Sequence, residues 1–434
     1  MTATPQSVPS IETQLAGYPF LDADLCLKCN VCTAACPVAA ATTAFPGPKA
    51  VGPQLARYRQ PGAPPPDPGV AWCSGCGVCS RVCPHAVPVA EMNIVAKGQI
   101  RPRGLRALRD WGLSRPAEVA RWTRPFRRIV AAVLGSFGFR AALEGMVGLA
   151  RTAPLPSVAT RPLRSLLSAH VREVPTDQAS GKPTVAYFHG CSTNDYEPWL
   201  GETAIRVLEA LGVTVDLPPQ VCCGLPLQSN GAFDAARQRA TFNLAALQAW
   251  AERGLPIIGT STSCTLALKH EYRAVLGLSG HAVDAVSAST YDFFEYLDQV
   301  LRVPPGSLDL HPIPLRALYH PPCQLRSHGV GTPALAYLQA IPELELEISA
   351  SECCGVAGTY GLKRERYAVA VEVGRPLFSQ VAQSRVDLVL TDSETCRWWS
   401  ERHTGVPSIH PLMVFAASLG LQGLDVARGE PSTT

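Results

Sequence analysis

The chain has 434 residues, enough for two or three domains with substantial cores. Apolar residues make up 47%, which excludes wholesale disorder, and a formal net charge of +3 lacks the strongly basic balance of a dedicated nucleic-acid binder. No stretch reaches the roughly 18 consecutive apolar residues of a membrane span. Met1 to Gly17 has no basic start followed by an apolar core, so it does not read as a secretory signal. The expected location is the cytoplasm, where thiols stay reduced. There, 16 Cys point to metal or redox chemistry rather than to disulfides.

Eight of the Cys fall in two runs near the start. Cys26-x2-Cys29-x2-Cys32-x3-Cys36-Pro37 has the spacing of a bacterial ferredoxin, and Cys73-x2-Cys76-x2-Cys79-x3-Cys83-Pro84 repeats it. Three thiolates at intervals of three wrap one [4Fe-4S] cubane, and the fourth Cys, followed by Pro, reaches the other cluster. The expected ligand sets are therefore crossed: Cys26, Cys29, Cys32 and Cys83 for one cluster, and Cys73, Cys76, Cys79 and Cys36 for the second. A pair of zinc sites is the competing reading. Zinc favours two Cys pairs a dozen or more residues apart, not four Cys within eleven positions. The proline-rich stretch Phe45 to Val70 between the runs is expected to be an extended surface excursion.

Arg101 to Arg172 holds 14 Arg and three acids, Asp110, Glu118 and Glu144, so it is strongly basic. Its apolar residues, among them Leu105, Leu108, Trp111, Trp122, Phe126, Ile129, Val133 and Phe137, alternate with the arginines. Aromatics on one helical face with Arg around them suit a lipid interface. A linker packed between domains, or a surface that docks a partner, competes with that reading.

The remaining eight Cys form an internal repeat. Cys191 to Cys323 is 132 residues, Cys222 to Cys353 and Cys223 to Cys354 are 131, and Cys264 to Cys396 is 132. In each copy the pattern predicts strand, helix, strand, a Cys-Cys-Gly loop, a long helix, a third strand, then Ser-x-x-Cys and another helix. The predicted strands are Val185–Phe188, Val213–Leu217 and Pro256–Thr260 in the first copy, and Leu315–Tyr319, Leu344–Ile348 and Val386–Thr391 in the second. Alternating strands and helices imply parallel βαβ units with the Cys loops gathered at one end. The chain is thus expected to divide into a helical ferredoxin-type domain (1–100), a basic amphipathic helical linker (101–180), and two α/β modules (181–310 and 311–434), an α+β and α/β architecture overall.

Cys222-Cys223-Gly224-Leu225-Pro226 and Cys353-Cys354-Gly355-Val356-Ala357-Gly358-Thr359-Tyr360-Gly361 resemble the CCG family, which includes heterodisulfide reductase subunits and the iron–sulfur subunits of several flavin dehydrogenases. With the two ferredoxin runs ahead of them, and with His189-Gly190-Cys191 and Thr391-Asp392-Ser393-Glu394-Thr395-Cys396, the chain resembles over nearly its whole length the iron–sulfur subunits of anaerobic glycerol-3-phosphate dehydrogenases that join a two-cluster ferredoxin domain to duplicated CCG modules. The resemblance implies that Cys191, Cys222, Cys223 and Cys264, and Cys323, Cys353, Cys354 and Cys396, hold one or two further iron–sulfur clusters. A full CCG module has five thiolates. Here Ser261 and Ser393 stand where the family places the first Cys of its last pair. Three outcomes stay open for each module: a four-thiolate cubane, a cluster with serine as a weak fifth ligand, or an empty module with a labile Cys pair. A lone His is usually a satisfied polar residue; the matching positions of His189 and His320 beside the first Cys of each module raise a competing role, donating to a cluster sulfide or assisting quinone protonation, which Gln324 after Cys323 weakens in the second module. Glu394 and Asp392 are read as helix-cap and surface residues.

No Gly-x-Gly-x-x-Gly follows a predicted strand, so a flavin or nicotinamide site is not expected in this chain. The resemblance implies an electron-transfer subunit rather than a stand-alone catalyst. It would serve a separate flavin-containing dehydrogenase acting on glycerol 3-phosphate and pass electrons to membrane quinone, peripherally on the cytoplasmic face. The alternatives are a glycolate or lactate oxidation complex, a thiol–disulfide reductase acting at the CCG site, and a redox sensor or scaffold. The missing fifth ligands argue against the reductase.

Overall fold

The computed structural model describes residues 23–56, 58–59, 65, 67–100, 102–176, 181–425 and 430–431. The Met1 to Gly17 segment lies outside them.

The two Cys runs fold into short helices, Val31–Ala34 and Val78–Arg81, each entered through a tight loop. Both loops turn twice through positive φ at matching positions: Lys28 and Asn30 in the first run, Gly75 and Gly77 in the second. Glycine takes that conformation at little steric cost, and Asn tolerates it better than most residues. Proline then starts the helix Pro37–Ala41 directly after Cys36, where its fixed φ suits a first helical position. The helix Val89–Lys97 backs both loops. The stretch from Phe45 to Val70 departs from the expected surface excursion. It contains the helices Pro48–Val51 and Pro53–Ala56, and Phe45, Val51 and Val70 are buried. Its apolar residues complete a core that the small ferredoxin unit would otherwise lack.

The basic segment is helical: α1 (Leu105–Leu113), α2 (Pro116–Thr123), α3 (Arg127–Gly135) and α4 (Phe137–Met146). Among the described residues no single helix is long and apolar enough to cross a membrane. Pro116–Gly135 and Phe137–Met146 would reach that length and composition only together, and they bend by 87° at their junction. The segment is clamped to the body by ion pairs. Arg109 meets Glu365 through both terminal nitrogens at 2.9 Å and Asp110 at 2.8 Å, and Asp110 also meets Lys363 at 2.9 Å. Arg124 reaches Asp195 at 2.5 Å, and Arg239 pairs with Glu118.

Each CCG module is a four-stranded parallel sheet. The first has the order β2-β1-β3-β4, from β1 (Thr184–Tyr187), β2 (Thr214–Asp216), β3 (Ile257–Gly259) and β4 (Thr290–Asp292). The second repeats it as β6-β5-β7-β8, from β5 (Leu315–Tyr319), β6 (Leu344–Ile348), β7 (Leu388–Leu390) and β8 (Ser408–Ile409). The three strands expected in each copy are present, and a fourth, absent from the sequence reading, closes each sheet. β4 and β8 have only three and two residues, too short for an alternation signal. The sheets share one core. Val185 and Tyr187 of β1, Ala317 and Tyr319 of β5, and the buried helix Pro411–Ser418 belong to the same buried cluster.

Candidate functional site

The Cys-Cys-Gly turn follows from one residue. Gly355 has φ +95°, and a Cβ on it would lie 2.0 Å from the Ala370 carbonyl oxygen and 2.8 Å from the Gly374 nitrogen of the helix Arg364–Ser384. Glycine therefore lets the loop press onto that helix. Its freed N–H donates to Cys353 Sγ at 3.3 Å. Gly224 has the matching φ of +92° in the first module.

The turn puts the adjacent thiols among partners. In module 1, Cys222 Sγ is 3.6 Å from Cys191 Sγ. In module 2, Cys354 Sγ is 2.9 Å from Cys396 Sγ. Hydrogen bonds with Cys191 and then Cys223 hold the Cys222 thiol well below its ordinary range. Bonds with Cys323 and then Cys354 do the same for Cys353. All eight CCG Cys are buried, so each module concentrates thiol and thiolate sulfur in a desolvated pocket.

In the ferredoxin unit, Cys36, Cys73, Cys76 and Cys79 line one small void, and Cys26, Cys29, Cys32 and Cys83 line another. These groupings are the two crossed sets. The first of these voids abuts module 2: Cys36, Cys73 and Cys76 share a buried cluster with Cys323 and Cys353. The contact is close, since a Cβ on Gly77 would fall 2.4 Å from Ser327 Oγ on the helix Cys323–Ser327. Ion pairs of Glu352 with Arg81 and with Arg326, the latter at 3.0 Å, close the seam.

Two buried nitrogens next to these sulfurs lack partners. His189 shares its Nδ1 with Gly190 O at 2.7 Å, His320 its Nδ1 with Ser349 Oγ at 3.2 Å, and Nε2 of each is unpaired. Burial pushes both imidazoles down to about 4, so they are neutral at pH 7. A carbonyl oxygen only accepts, so neutral His189 carries its proton on Nδ1 and its Nε2 is an acceptor, whereas His320 can accept the Ser349 hydroxyl proton at Nδ1 and keep Nε2–H, a donor that a cluster sulfide would accept from. The Cys-rich donor sets and the orphaned His320 nitrogen fit iron–sulfur clusters.

The serines in place of a fifth Cys have other partners. Ser261 Oγ donates across the module boundary to Glu394 at 3.2 Å, and Ser393 Oγ lies 3.4 Å from Thr395 Oγ1. Asp392 is a correction to the expected surface role: it is 1% exposed and accepts from the Tyr319 hydroxyl at 2.9 Å. Glu394 does open the helix Glu394–Thr404, but it lines the interior chamber. A polar run before a helix reads as a cap in sequence. The second sheet, which buries it, cannot be seen there.

A cavity of about 500 Å3, mostly apolar, joins these parts. Cys191, Cys223 and Cys264 of module 1 line it together with Cys323, Cys354 and Cys396 of module 2, and Cys76 also reaches its wall. Its roof is one side of the basic segment, including Leu113, Val119, Val130 and Leu134. Trp122, Phe126, Ile129 and Phe137 in the same segment are 53–73% exposed. The sequence reading missed Glu271 on the cavity wall. It is 7% exposed, accepts from Gln228 Nε2 at 3.0 Å, and burial pushes its carboxyl up to about 7. It ends a π-helical stretch, Ala267–Glu271, and such bulges mark functional positions in many helices.

Comparison with known proteins agrees with this arrangement. Residues 22–87 match the 4Fe-4S dicluster domain family, and residues 185–269 and 317–399 match the cysteine-rich CCG domain family. The chain is 36% identical to a subunit of anaerobic glycerol-3-phosphate dehydrogenase of Escherichia coli (strain K12) over 400 residues, 91% of this chain and 98% of that one. It is 24% identical to a subunit of the fumarate reductase (CoM/CoB) of Methanothermobacter marburgensis over 86% of this chain and 66% of that one. Lactate utilization protein A of Geobacillus kaustophilus is 30% identical over 41% of this chain and 74% of its own length. The chain therefore belongs to the family of that anaerobic glycerol-3-phosphate dehydrogenase subunit, iron–sulfur proteins that pair a dicluster ferredoxin domain with duplicated CCG modules.

Proposed function

We propose that this chain is the electron-transfer subunit of a flavin dehydrogenase complex acting on glycerol 3-phosphate, and that its acceptor is membrane quinone bound in the cavity between the CCG modules. The observation that carries the reading is that cavity: six CCG Cys and Cys76 open onto one apolar chamber roofed by helices whose outer faces are aromatic. An apolar chamber excludes water and suits a lipid-soluble ring, and exposed Trp and Phe ringed by Arg suit a lipid interface.

The chain's residues have distinct tasks. Cys26, Cys29, Cys32 and Cys83 would hold one [4Fe-4S] cluster, Cys36, Cys73, Cys76 and Cys79 the second, and the CCG Cys of each module the rest. Bound clusters supply one-electron storage and release. His320 would donate from Nε2 to cluster sulfide, His189 has only an acceptor free at Nε2, and the neutrality of both rules them out as resting proton stores at pH 7. Glu271 holds a proton near neutral pH on the chamber wall, where reduction of a quinone needs two. Gln228 fixes its orientation.

Anaerobic membranes containing the chain and its partner dehydrogenase test the reading by quinol formation with glycerol 3-phosphate, glycolate and lactate supplied separately. Quinol from glycerol 3-phosphate is expected. Quinol from glycolate or lactate alone would overturn the donor, and substrate oxidation that reduces dye but no quinone would overturn the acceptor. The similarity to lactate utilization protein A is what favours lactate as the second donor to test.

A further inference from the structure

A second cleft, of about 600 Å3, opens where the ferredoxin unit, α1 and the loop after Cys353-Cys354-Gly355 meet. Six cationic side chains line it: Lys97, Arg103, Arg106, Arg109, Lys363 and Arg366. Its only carboxylates among the lining residues are Asp110 and Glu365, and both are already engaged by Arg109 and Lys363. The cleft thus keeps a surplus of positive charge.

Three of its lining residues each carry a buried polar atom without a partner. Tyr360 is 5% exposed, and its hydroxyl has no partner. Arg366 lies over the Trp72 ring, 3.7 Å from guanidinium carbon to ring centroid, which fixes its plane and leaves Nη1 without an acceptor. Asn230 spends its amide nitrogen on Pro226 O at 2.8 Å and Thr359 Oγ1 at 2.9 Å, so its Oδ1 is the free end, and that oxygen lacks a donor. Buried polar groups are normally paired, so a set of three among the residues lining one cleft marks a place built for an occupant. Two of them are donors in a positive field and one is an acceptor. The complementary ligand is an oxyanion that also carries a hydroxyl.

The rim adds a further requirement. Leu105 and Met146 line the cleft and are 56% and 57% exposed, so the opening continues into the apolar faces of α1 and α4.

We propose that this cleft binds a phosphoester bearing a neighbouring hydroxyl, with the phosphate on Tyr360, Arg366, Arg103 and Arg106 and the hydroxyl on Asn230. A guanidinium fork and a phenol match phosphate oxygens well. The apolar rim favours a phospholipid headgroup as the source, its acyl chains leaving past Leu105 and Met146. A soluble glycerol phosphate carries the same polar chemistry without the chains. The site is separate from the chamber between the CCG modules and stands whether or not quinone is the acceptor.

The full chain, purified anaerobically, provides the test in two arms. One measures cosedimentation with phosphatidylglycerol–phosphatidylcholine vesicles against phosphatidylcholine alone. The other measures calorimetric binding of glycerol phosphate and of inorganic phosphate. Tyr360→Phe removes one oxygen and no charge, so it separates the cleft from general attraction to an anionic surface. It should weaken binding about three- to tenfold in whichever arm wild type binds. The Arg103→Gln/Arg106→Gln double variant should weaken it at least about tenfold. Loss confined to vesicles identifies the lipid source, and loss confined to glycerol phosphate the soluble one. The proposal is overturned if wild type binds in neither arm. It is equally overturned if Tyr360→Phe binds as wild type does, since the attraction would then be surface charge alone.

Discussion

Substituting Ala at Gly355 and, separately, at Gly224 asks how far the two modules depend on the same turn. Both glycines sit at φ above +90°, where an L side chain costs about 1–2 kcal/mol. They differ in what a methyl group would strike. At Gly355 the Cβ would overlap the Ala370 carbonyl oxygen at 2.0 Å and the Gly374 nitrogen at 2.8 Å, both backbone atoms of a 21-residue helix that cannot swing aside. At Gly224 the nearest atom, the Ala236 carbonyl oxygen, is 3.3 Å away and needs to shift by only a few tenths of an ångström. Overpacking of the first kind adds about 1–3 kcal/mol. Gly355→Ala should therefore destabilise by about 2–5 kcal/mol and Gly224→Ala by about 1–2 kcal/mol. Urea unfolding of anaerobically purified protein measures the difference, with iron and sulfide per chain as the second readout. Gly355→Ala should lose metal from module 2 first. Equal destabilisation by the two variants, or greater loss from Gly224→Ala, would refute the argument that close approach to the helix, rather than φ alone, selects this glycine.

Other outcomes follow from the same geometry. Cys36→Ala should abolish the electron paramagnetic resonance signal that Cys76→Ala abolishes, and Cys83→Ala the one that Cys29→Ala abolishes; the opposite pairing would show uncrossed ligation. Glu271 has a folded carboxyl raised to about 7, so the folded state holds a proton that the unfolded chain releases near pH 4.5, and stability falls as pH rises between those values. Glu271→Gln removes that dependence, and its advantage over wild type in unfolding free energy, measured by urea titration, should grow by on the order of 2–3 kcal/mol from pH 5 to pH 8; parallel pH profiles would contradict it. Arg109→Met strands Glu365, which keeps some solvent contact, so a loss of about 2–3 kcal/mol and faster proteolysis within 105–146 are expected. Ile129→Asp with Phe137→Asp should release the protein from phospholipid vesicles while its unfolding midpoint stays put, since both side chains are more than 60% exposed.

The parts of the molecule legible in the sequence are those specified by local chemistry. The ferredoxin runs carry their loop geometry in Cys spacing, Gly75, Gly77 and the trailing prolines. The CCG repeat was visible because four Cys recur in register, and strand–helix alternation then implied parallel sheets with Cys at one end. What escaped depends on contacts between distant segments. Asp392 is polar in every local sense and becomes buried only because β5 presents Tyr319 to it. Glu271 looks like one more charge on a helix, and its environment is made by Gln228 from 43 positions earlier. Ser261 and Ser393 were legible as departures from a pattern, but the bond from Ser261 to Glu394 needs both modules in place. Phe45 and Val51 lie in a proline-rich stretch whose composition hid its part in the ferredoxin core.

The two CCG modules are copies in sequence and in sheet order, yet their surroundings differ. The Cys73–Cys79 loop shares its buried cluster with Cys323 and Cys353, whereas module 1 meets the ferredoxin unit through the helix Val89–Lys97, at Ile94, Val95 and the His270–Glu91 pair. Duplication alone would make two equivalent stations. Unequal docking ranks them, so equal lesions in the twin sites need not have equal consequences, and a chimera carrying two copies of module 1 would lose the face that the ferredoxin loop recognises.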